Sequence, residues 1–194
     1  MQPAATSGHQ VLAPPEERVA REPADVYRLW APTVGRWAHQ LSGPGADVDD
    51  VVHDVFLKVY QHLPEFRGES QLSTWLFRIT ANEVARRRRR AKLTRWLFGG
   101  TQEQQRQALD VASRSDGPLE ALQREQEVAA LYRALDCLRE RDRTVLILFE
   151  IEGLSGEEIA QLMEARVGTV WTWLHRARAK LLVELNRSAQ EGAR

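Results

Sequence analysis

The chain has 194 residues, enough for one or two small domains, and 43% of them are hydrophobic, an ordinary share for a folded protein. Lys and Arg number 27, as do Asp and Glu, and this balance argues against a general nucleic-acid binder. A single cysteine, Cys137, excludes a disulfide framework or a cysteine-based zinc site within the chain and reads as a small buried residue on a helix. No stretch nears the roughly twenty apolar residues of a membrane span, and the N-terminus lacks a basic region followed by an apolar core. A cytoplasmic protein without membrane insertion is expected. The mean charge conceals local patches: acids crowd Asp47 to Asp54 and arginines crowd Arg86 to Arg95.

Met1 to Glu22 is rich in Pro, Ala, Gly and polar residues without a period, and reads as a flexible tail. From Ala24 to Leu41, Val26, Leu29, Trp30, Val34, Trp37 and Leu41 recur at helical spacing, with Pro32 expected to kink this helix or mark its start. Ser42 to Gly45 is a loop. A second helix is expected from Asp47 to Leu63, burying Val48, Val51, Val52, Val55, Val59 and Leu63. Asp50, His53, Asp54, Leu57 and Gln61 share another face of it. Acids around an exposed Leu make that stripe a docking surface rather than an arbitrary solvated face.

Pro64 to Gln71 is a loop, with Pro and Gly to stop the helix and turn the chain. A third helix opens near Leu72, capped by Ser70 or Ser73, and runs into the arginines Arg86 to Arg90. Trp96-Leu97-Phe98 is an apolar cluster before Gly99 and Gly100, expected to dock on the first domain. Thr101 to Pro118 is polar and reads as a linker with one marginal helix near Gln102 to Val111.

The second domain starts near Leu119. Leu122, Val128, Ala129, Leu131, Tyr132, Leu135 and Leu138 predict one helix, Arg139 to Asp142 a break, and Val145 to Ile151 another helix closed at Gly153. Ser155 and Glu158 form a capping box for a short helix with Ile159, Ala160, Leu162 and Met163 inward. After a tight turn at Glu164 to Arg166, a last helix buries Val167, Val170, Leu174, Ala177 and Leu181. With no strand pattern and no internal repeat, the fold class is all-α: two small helical domains joined by a flexible linker.

Two short helices with a tight turn, the second carrying Arg176, Arg178 and Lys180, fit a helix-turn-helix whose last helix is sized for a major groove. An ordinary helical hairpin with a basic face fits the spacing equally well. Enzyme chemistry finds little support. Asp47 and Asp49 point away from Asp50, His53 and Asp54, no nucleophile–base pair or phosphate-cradling glycine loop is visible, and no cofactor, metal or small-molecule substrate is expected.

Asp47-Val48-Asp49-Asp50-Val51-Val52-His53-Asp54-Val55-Phe56, then Phe66-Arg67-Gly68-Glu69-Ser70, then Thr74-Trp75-Leu76-Phe77-Arg78-Ile79 to Asn82 resemble region two of the extracytoplasmic-function (ECF) sigma factors of bacterial RNA polymerase. Leu154-Ser155-Gly156-Glu157-Glu158-Ile159-Ala160 and Val167-Gly168-Thr169-Val170 with Leu174-His175-Arg176-Ala177-Arg178 resemble region four of that family. The resemblance covers about residues 24 to 185 and implies a layout: a tail (1–22), region two (23–93), a linker (94–118), region four (119–187) and a second tail (188–194).

It implies that Asp50, His53, Asp54, Leu57 and Gln61 bind core RNA polymerase. It implies too that Phe66, Arg67, Glu69, Ser70, Gln71, Arg78 and Asn82 handle the minus-ten promoter element, with Trp75 supporting them and Arg86 to Arg90 holding the DNA backbone. In region four, which reads the minus-thirty-five element, Thr172, His175 and Arg176 project toward bases, and Arg166, Thr169 and Arg178 toward phosphates. Trp171 and Trp173 depart from the family's basic pattern and are expected to pack on the helix flank or on a partner, with thymine contact as the other reading. An anti-sigma factor is an implied partner. A stand-alone helix-turn-helix regulator is the alternative function, and a nucleic-acid enzyme targeted by its helix-turn-helix a third; the first domain discriminates, since a regulator needs a sensor or dimerisation unit.

Overall fold

A computed structural model describes residues 22–98 and 118–192, and among these every regular element is helical. The first unit holds α1 (Pro23–Ser42), α2 (Val48–His62), a 3-10 turn (Leu63–Glu65) and α3 (Leu72–Phe98). The second holds α4 (Pro118–Leu135), α5 (Glu140–Glu150), α6 (Gly156–Leu162) and α7 (Val167–Gly192). No described helix is long and apolar enough to cross a membrane.

Helix α1 starts at Pro23, where a missing N–H costs nothing, and runs through Pro32 without ending there. The carbonyl that Pro32 leaves without its helical donor is that of Arg28, an exposed residue that water can reach. Val26, Trp30, Val34, Trp37, Ala38 and Leu41 form its buried face against α2 and α3. In α2, Val51, Val55 and Val59 are buried as expected, while Val48, Val52 and Leu63 are only partly covered. Phe56, outside the expected stripe, is also buried, its ring meeting Tyr27 edge-on at 4.7 Å. Asp47 caps the helix by accepting the Asp50 N–H at 3.0 Å.

Helix α3 carries its backbone past residue 93, where the domain edge was expected. Its end does not dock: Trp96 is 79% exposed, with Leu93 and Leu97 also open to solvent. Its start is at Leu72, with Ser73 buried inside the first turn and donating to Gln71 Oε1 at 3.4 Å. The expected helix near Gln102 to Val111 and the N-terminal tail before Glu22 lie outside the described residues.

The second unit follows the expected order with corrections. The break expected at Arg139 to Asp142 lies earlier, between Leu135 and Glu140: Arg139 precedes the first turn of α5, and Glu140 and Asp142 lie within that turn, where carboxylates favour the helix dipole. The capping box at α6 is present in both directions, Glu158 N–H to Ser155 Oγ at 3.2 Å and Ser155 N–H to Glu158 Oε2 at 2.8 Å. Glu164 takes φ +49° in the turn that follows. Helix α7 buries Val170, Leu174 and Ala177 and extends to Gly192, past the expected tail boundary at residue 187. Val128 and Ile151, expected inside, are 43% and 42% exposed. Cys137 is exposed in the turn after α4, not buried on a helix; its thiol lies 3.7 Å from the Arg133 carbonyl.

Candidate nucleic-acid and partner interfaces

The outward stripe of α2 is set by the same geometry that buries Val51, Val55 and Val59. Asp50, His53, Leu57 and Gln61 are exposed, Leu57 by 45%. Asp54 stands apart. Its carboxylate accepts Arg87 Nη2 at 2.6 Å and lies 3.6 Å from Arg86, so it joins α2 to α3. Arg87 also donates to the Asp50 carbonyl at 3.0 Å.

Those arginines centre on a residue that the sequence reading passed over. Glu83 is fully buried on α3 and accepts Arg86 at 2.6 and 3.0 Å, Arg87 at 3.0 Å and the Lys58 ammonium of α2. Burial pushes its carboxyl up, but the hydrogen bonds from Arg86, Lys58 and Arg87 outweigh that and hold it at about 2. Arg88 is committed as well, to Asp136 at 2.6 Å and Glu140 at 2.7 Å. Among the described residues, Arg86, Arg87 and Arg88 find ion-pair partners and Arg89 and Arg90 find none, beside exposed Lys92. The signal for Glu83 was present: acid followed by Arg at three and four residues is a helical ion-pair spacing.

The loop ahead of α3 keeps Arg67, Glu69 and Gln71 exposed, with Ser70 half-buried. Phe66 is half-buried against Trp75, ring centres 5.1 Å apart, so Trp75 supports the loop from behind. Arg78 and Asn82 follow one turn apart on an exposed face of α3. Arg78 reaches Glu164 at 3.0 and 3.1 Å.

On α7, Thr172 and His175 are exposed, and the Thr172 hydroxyl donates back to the Gly168 carbonyl at 2.9 Å. Arg176 is pinned: Nε donates to Asp142 at 2.8 Å and Nη2 pairs with the same carboxylate, itself 4% exposed. That bidentate partner favours the charged guanidinium. Arg178 pairs with Glu150 at 2.6 Å and lies over the Phe149 ring at 5.1 Å. Arg166 is exposed and Thr169 half-buried at the start of the helix. Trp171 meets Phe149 edge-on at 5.5 Å and lies over Gly156, where an added Cβ would come within 2.8 Å of its ring. Trp173 is half-buried under Arg141, 4.8 Å from the ring. Both tryptophans therefore pack on the helix flank.

Two family models match the chain, Sigma-70 region 2 over residues 26–94 and Sigma-70, region 4 over residues 129–181. Among curated relatives, the ECF RNA polymerase sigma-E factor of Escherichia coli strain K12 is 33% identical over 173 residues, 84% of this chain and 87% of that one. ECF RNA polymerase sigma factor SigE of Mycolicibacterium smegmatis is 30% identical over 192 residues, 96% of this chain and 68% of that one. Among solved structures, the sigma factor RpoE in complex with the anti-sigma factor NepR from Bartonella quintana aligns with TM-score 0.53 and 24% identity, covering 84% of this chain and 96% of that one. CnrH in complex with the cytosolic domain of CnrY aligns with TM-score 0.52 and 25% identity, covering 85% and 88%.

Proposed function

The chain belongs to the ECF branch of the sigma-70 family, and from that premise we propose how its surfaces divide the work of an alternative sigma factor. Such a factor binds core RNA polymerase, directs it to particular promoters and initiates transcription there; it is a regulatory initiation factor, and RNA synthesis is the polymerase's chemistry. We assign it to the cytoplasm, where its polymerase works.

One observation carries the division: α2 exposes Asp50, His53, Leu57 and Gln61 on the face opposite a complete apolar core. That stripe is the polymerase contact. Asp54 belongs to it by position and supports it by tying α2 to α3 through Arg87. Leu57→Asp should abolish co-purification with core polymerase while leaving the helical circular dichroism unchanged, because the side chain leaves no cavity. Undiminished core binding by this variant refutes the assignment.

The loop residues Arg67, Glu69, Ser70 and Gln71, held by the Phe66–Trp75 pair, take the minus-ten element with Arg78 and Asn82. Extracting a base from the stack costs a few kcal/mol, which polar and aromatic contacts can return. Arg89, Arg90 and Lys92 supply backbone contacts in place of the whole arginine run. Replacing Arg67, Glu69 and Gln71 with Ala should spare core binding and reduce permanganate reactivity at a melted promoter; normal melting refutes this part.

In the helix-turn-helix, Thr172 and His175 face bases, and Arg166, Thr169 and Arg178 face phosphates. Arg176 has only Nη1 outside its pair with Asp142, so it reads a base through one donor unless that pair opens. An anti-sigma factor is the regulator we assign, on the analogy of the structural relative solved with one.

A further inference from the structure

The outward side of α7 is short of available positive charge. From Val167 to His175 the helix carries no Lys or Arg. Arg166 stands before that stretch, and Arg176, just after it, is committed to Asp142 through Nε and Nη2. Arg178, on the opposite flank, is paired with Glu150. Yet a duplex is held chiefly by cations set against its phosphates, each contact releasing condensed counterions. Thr169, Trp173 and Arg176 are four and three residues apart and form one row along a flank of α7. The first turn of α5 borders that row with two successive residues. Asp142, 4% exposed, clasps Arg176, and the Arg141 guanidinium lies over the Trp173 ring, 4.8 Å from its centre. Trp173 is half-buried, whereas Arg141 is exposed. The acids on either side of Arg141 are engaged elsewhere: Glu140 accepts Arg88 at 2.7 Å, and Asp142 holds Arg176. Among the described residues no carboxylate pairs with Arg141.

We propose that Arg141, seated on the Trp173 ring, grips a backbone phosphate of the duplex whose bases α7 faces, and so supplies from α5 the cation that this flank of α7 lacks. This rests on the reading of α7 as the helix that faces the minus-thirty-five element. An aromatic face attracts a guanidinium but offers no oxygen acceptor, so Arg141 keeps N–H donors for a phosphate. The seat also limits, before binding, the side-chain freedom that a phosphate contact would otherwise remove. Trp173 is a positioning residue here: packed on one side, it is a fixed platform that sets Arg141 in the row of Thr169 and Arg176. Phosphates are alike along a duplex, so the contact adds affinity without sequence preference, and bases are left to Thr172 and His175. A pair that served packing alone would change folding stability on removal and leave the salt dependence of DNA binding as it was.

The test uses holoenzyme assembled from the full chain and core polymerase, with a duplex promoter that wild-type holoenzyme selects from a random pool, and measures binding over a range of salt. Arg141→Gln should weaken binding about five- to tenfold near 0.1 M salt and reduce the slope of log affinity against log salt by about 0.9, with base preference and core binding unaltered. Arg141→Lys should keep the slope. Adding Trp173→Arg to Arg141→Gln should restore both affinity and slope, because the cation returns to the same flank. Trp173→Leu keeps every charge but removes the seat, so affinity should fall about two- to fivefold with the slope retained. An unchanged slope in Arg141→Gln overturns the proposal, whatever happens to the affinity. So does an altered base preference, which would make Arg141 a reader of bases. Thr172→Ala with His175→Ala separates the two possible failures. If that pair keeps the wild-type base preference, the reading of α7 has failed and the proposal falls with it. If it changes the preference while Arg141→Gln leaves the slope alone, only the proposal has failed.

Discussion

Glu83 and Arg143 are both sealed from water, at 0% and 1% exposure, yet their surroundings treat charge in opposite ways. Glu83 meets three cations, and its charged form is favoured so strongly that its carboxyl sits at about 2. Arg143 is pushed down to about 10, first by burial and then by neighbouring Arg88, against the pull of Asp136 and Glu140. Its Nη1 has the Leu41 carbonyl, but Nη2 is buried without a partner among the described residues and Nε lies 3.7 Å from Asp136. The first charge sits within one unit and fastens α2 to α3. The second sits in the joint between units. A compensated buried charge holds a fold together; an incompletely compensated one marks a contact with little to lose on opening.

The largest expected effect is at Glu83. Glu83→Gln removes the acceptor of three charge-assisted interactions while Lys58, Arg86 and Arg87 remain crowded together, and should cost about 2–3 kcal/mol in urea unfolding, the partly exposed cations rehydrating to spare the rest. The pH dependence follows from the direction of the shift. The folded-state carboxyl is depressed from 4.5 to about 2, so its stabilisation is fully present above pH 4.5 and is lost as pH falls from 4.5 toward 2. Wild type should destabilise steeply across that window, and Glu83→Gln less so. Equal acid sensitivity in the two proteins would assign acid unfolding to other carboxylates and dissolve the contrast with Arg143.

What could be read in advance was local. The start of α2 near Asp47, the Ser155–Glu158 box and the buried face of α7 each depend on residues within a few positions of one another. The outward stripe of Asp50, His53, Leu57 and Gln61 on α2 followed from the same periodicity. What escaped depends on partners far along the chain. Arg139 to Asp142 looked like a break because a polar run has no reason to be buried, until Arg176 is seen clasping Asp142 and Leu41 receiving Arg143. The arginine run looked like a free basic patch because, besides Glu83 on its own helix, its partners come from elsewhere: Asp54 from α2, Asp136 from the turn after α4 and Glu140 from α5. Trp96 looked like a docking residue on composition alone, although the helix carries it away from the core.

A middle-sized effect tests packing by shape, without charge. Gly156 opens α6, and the Trp171 ring occupies the space a Cβ would need. Gly156→Ala gains helix propensity but must displace the ring from its place beside Phe149, an edge-to-face contact worth about 0.5–1.5 kcal/mol. The net change in stability should stay within about 1 kcal/mol. Trp171→Ala in the Gly156→Ala background should cost less than in wild type, because the clash goes with the ring; a strictly additive pair would show that the ring does not rest on Gly156.

The smallest effect is expected at Arg143, and it is the one that sharpens the comparison most. Arg143→Met keeps the bulk of the side chain, drops a guanidinium with an unpartnered buried nitrogen, and leaves Asp136 and Glu140 with Arg88 as their cation. What it loses is the bond to the Leu41 carbonyl and the contact with the Tyr132 ring, whose centre lies 5.5 Å away. Replacing a poorly compensated buried charge by an apolar side chain of similar volume is often neutral, so the net change in unfolding free energy should lie within about 1 kcal/mol of zero. The contrast with Glu83 then holds: one buried charge supports the fold and the other can be removed. A loss of about 3 kcal/mol or more on Arg143→Met would mean that Asp136 and Glu140 depend on it as Glu83 depends on its cations. The two sites would then be equivalent, and the joint between the units as firmly built as the core of the first.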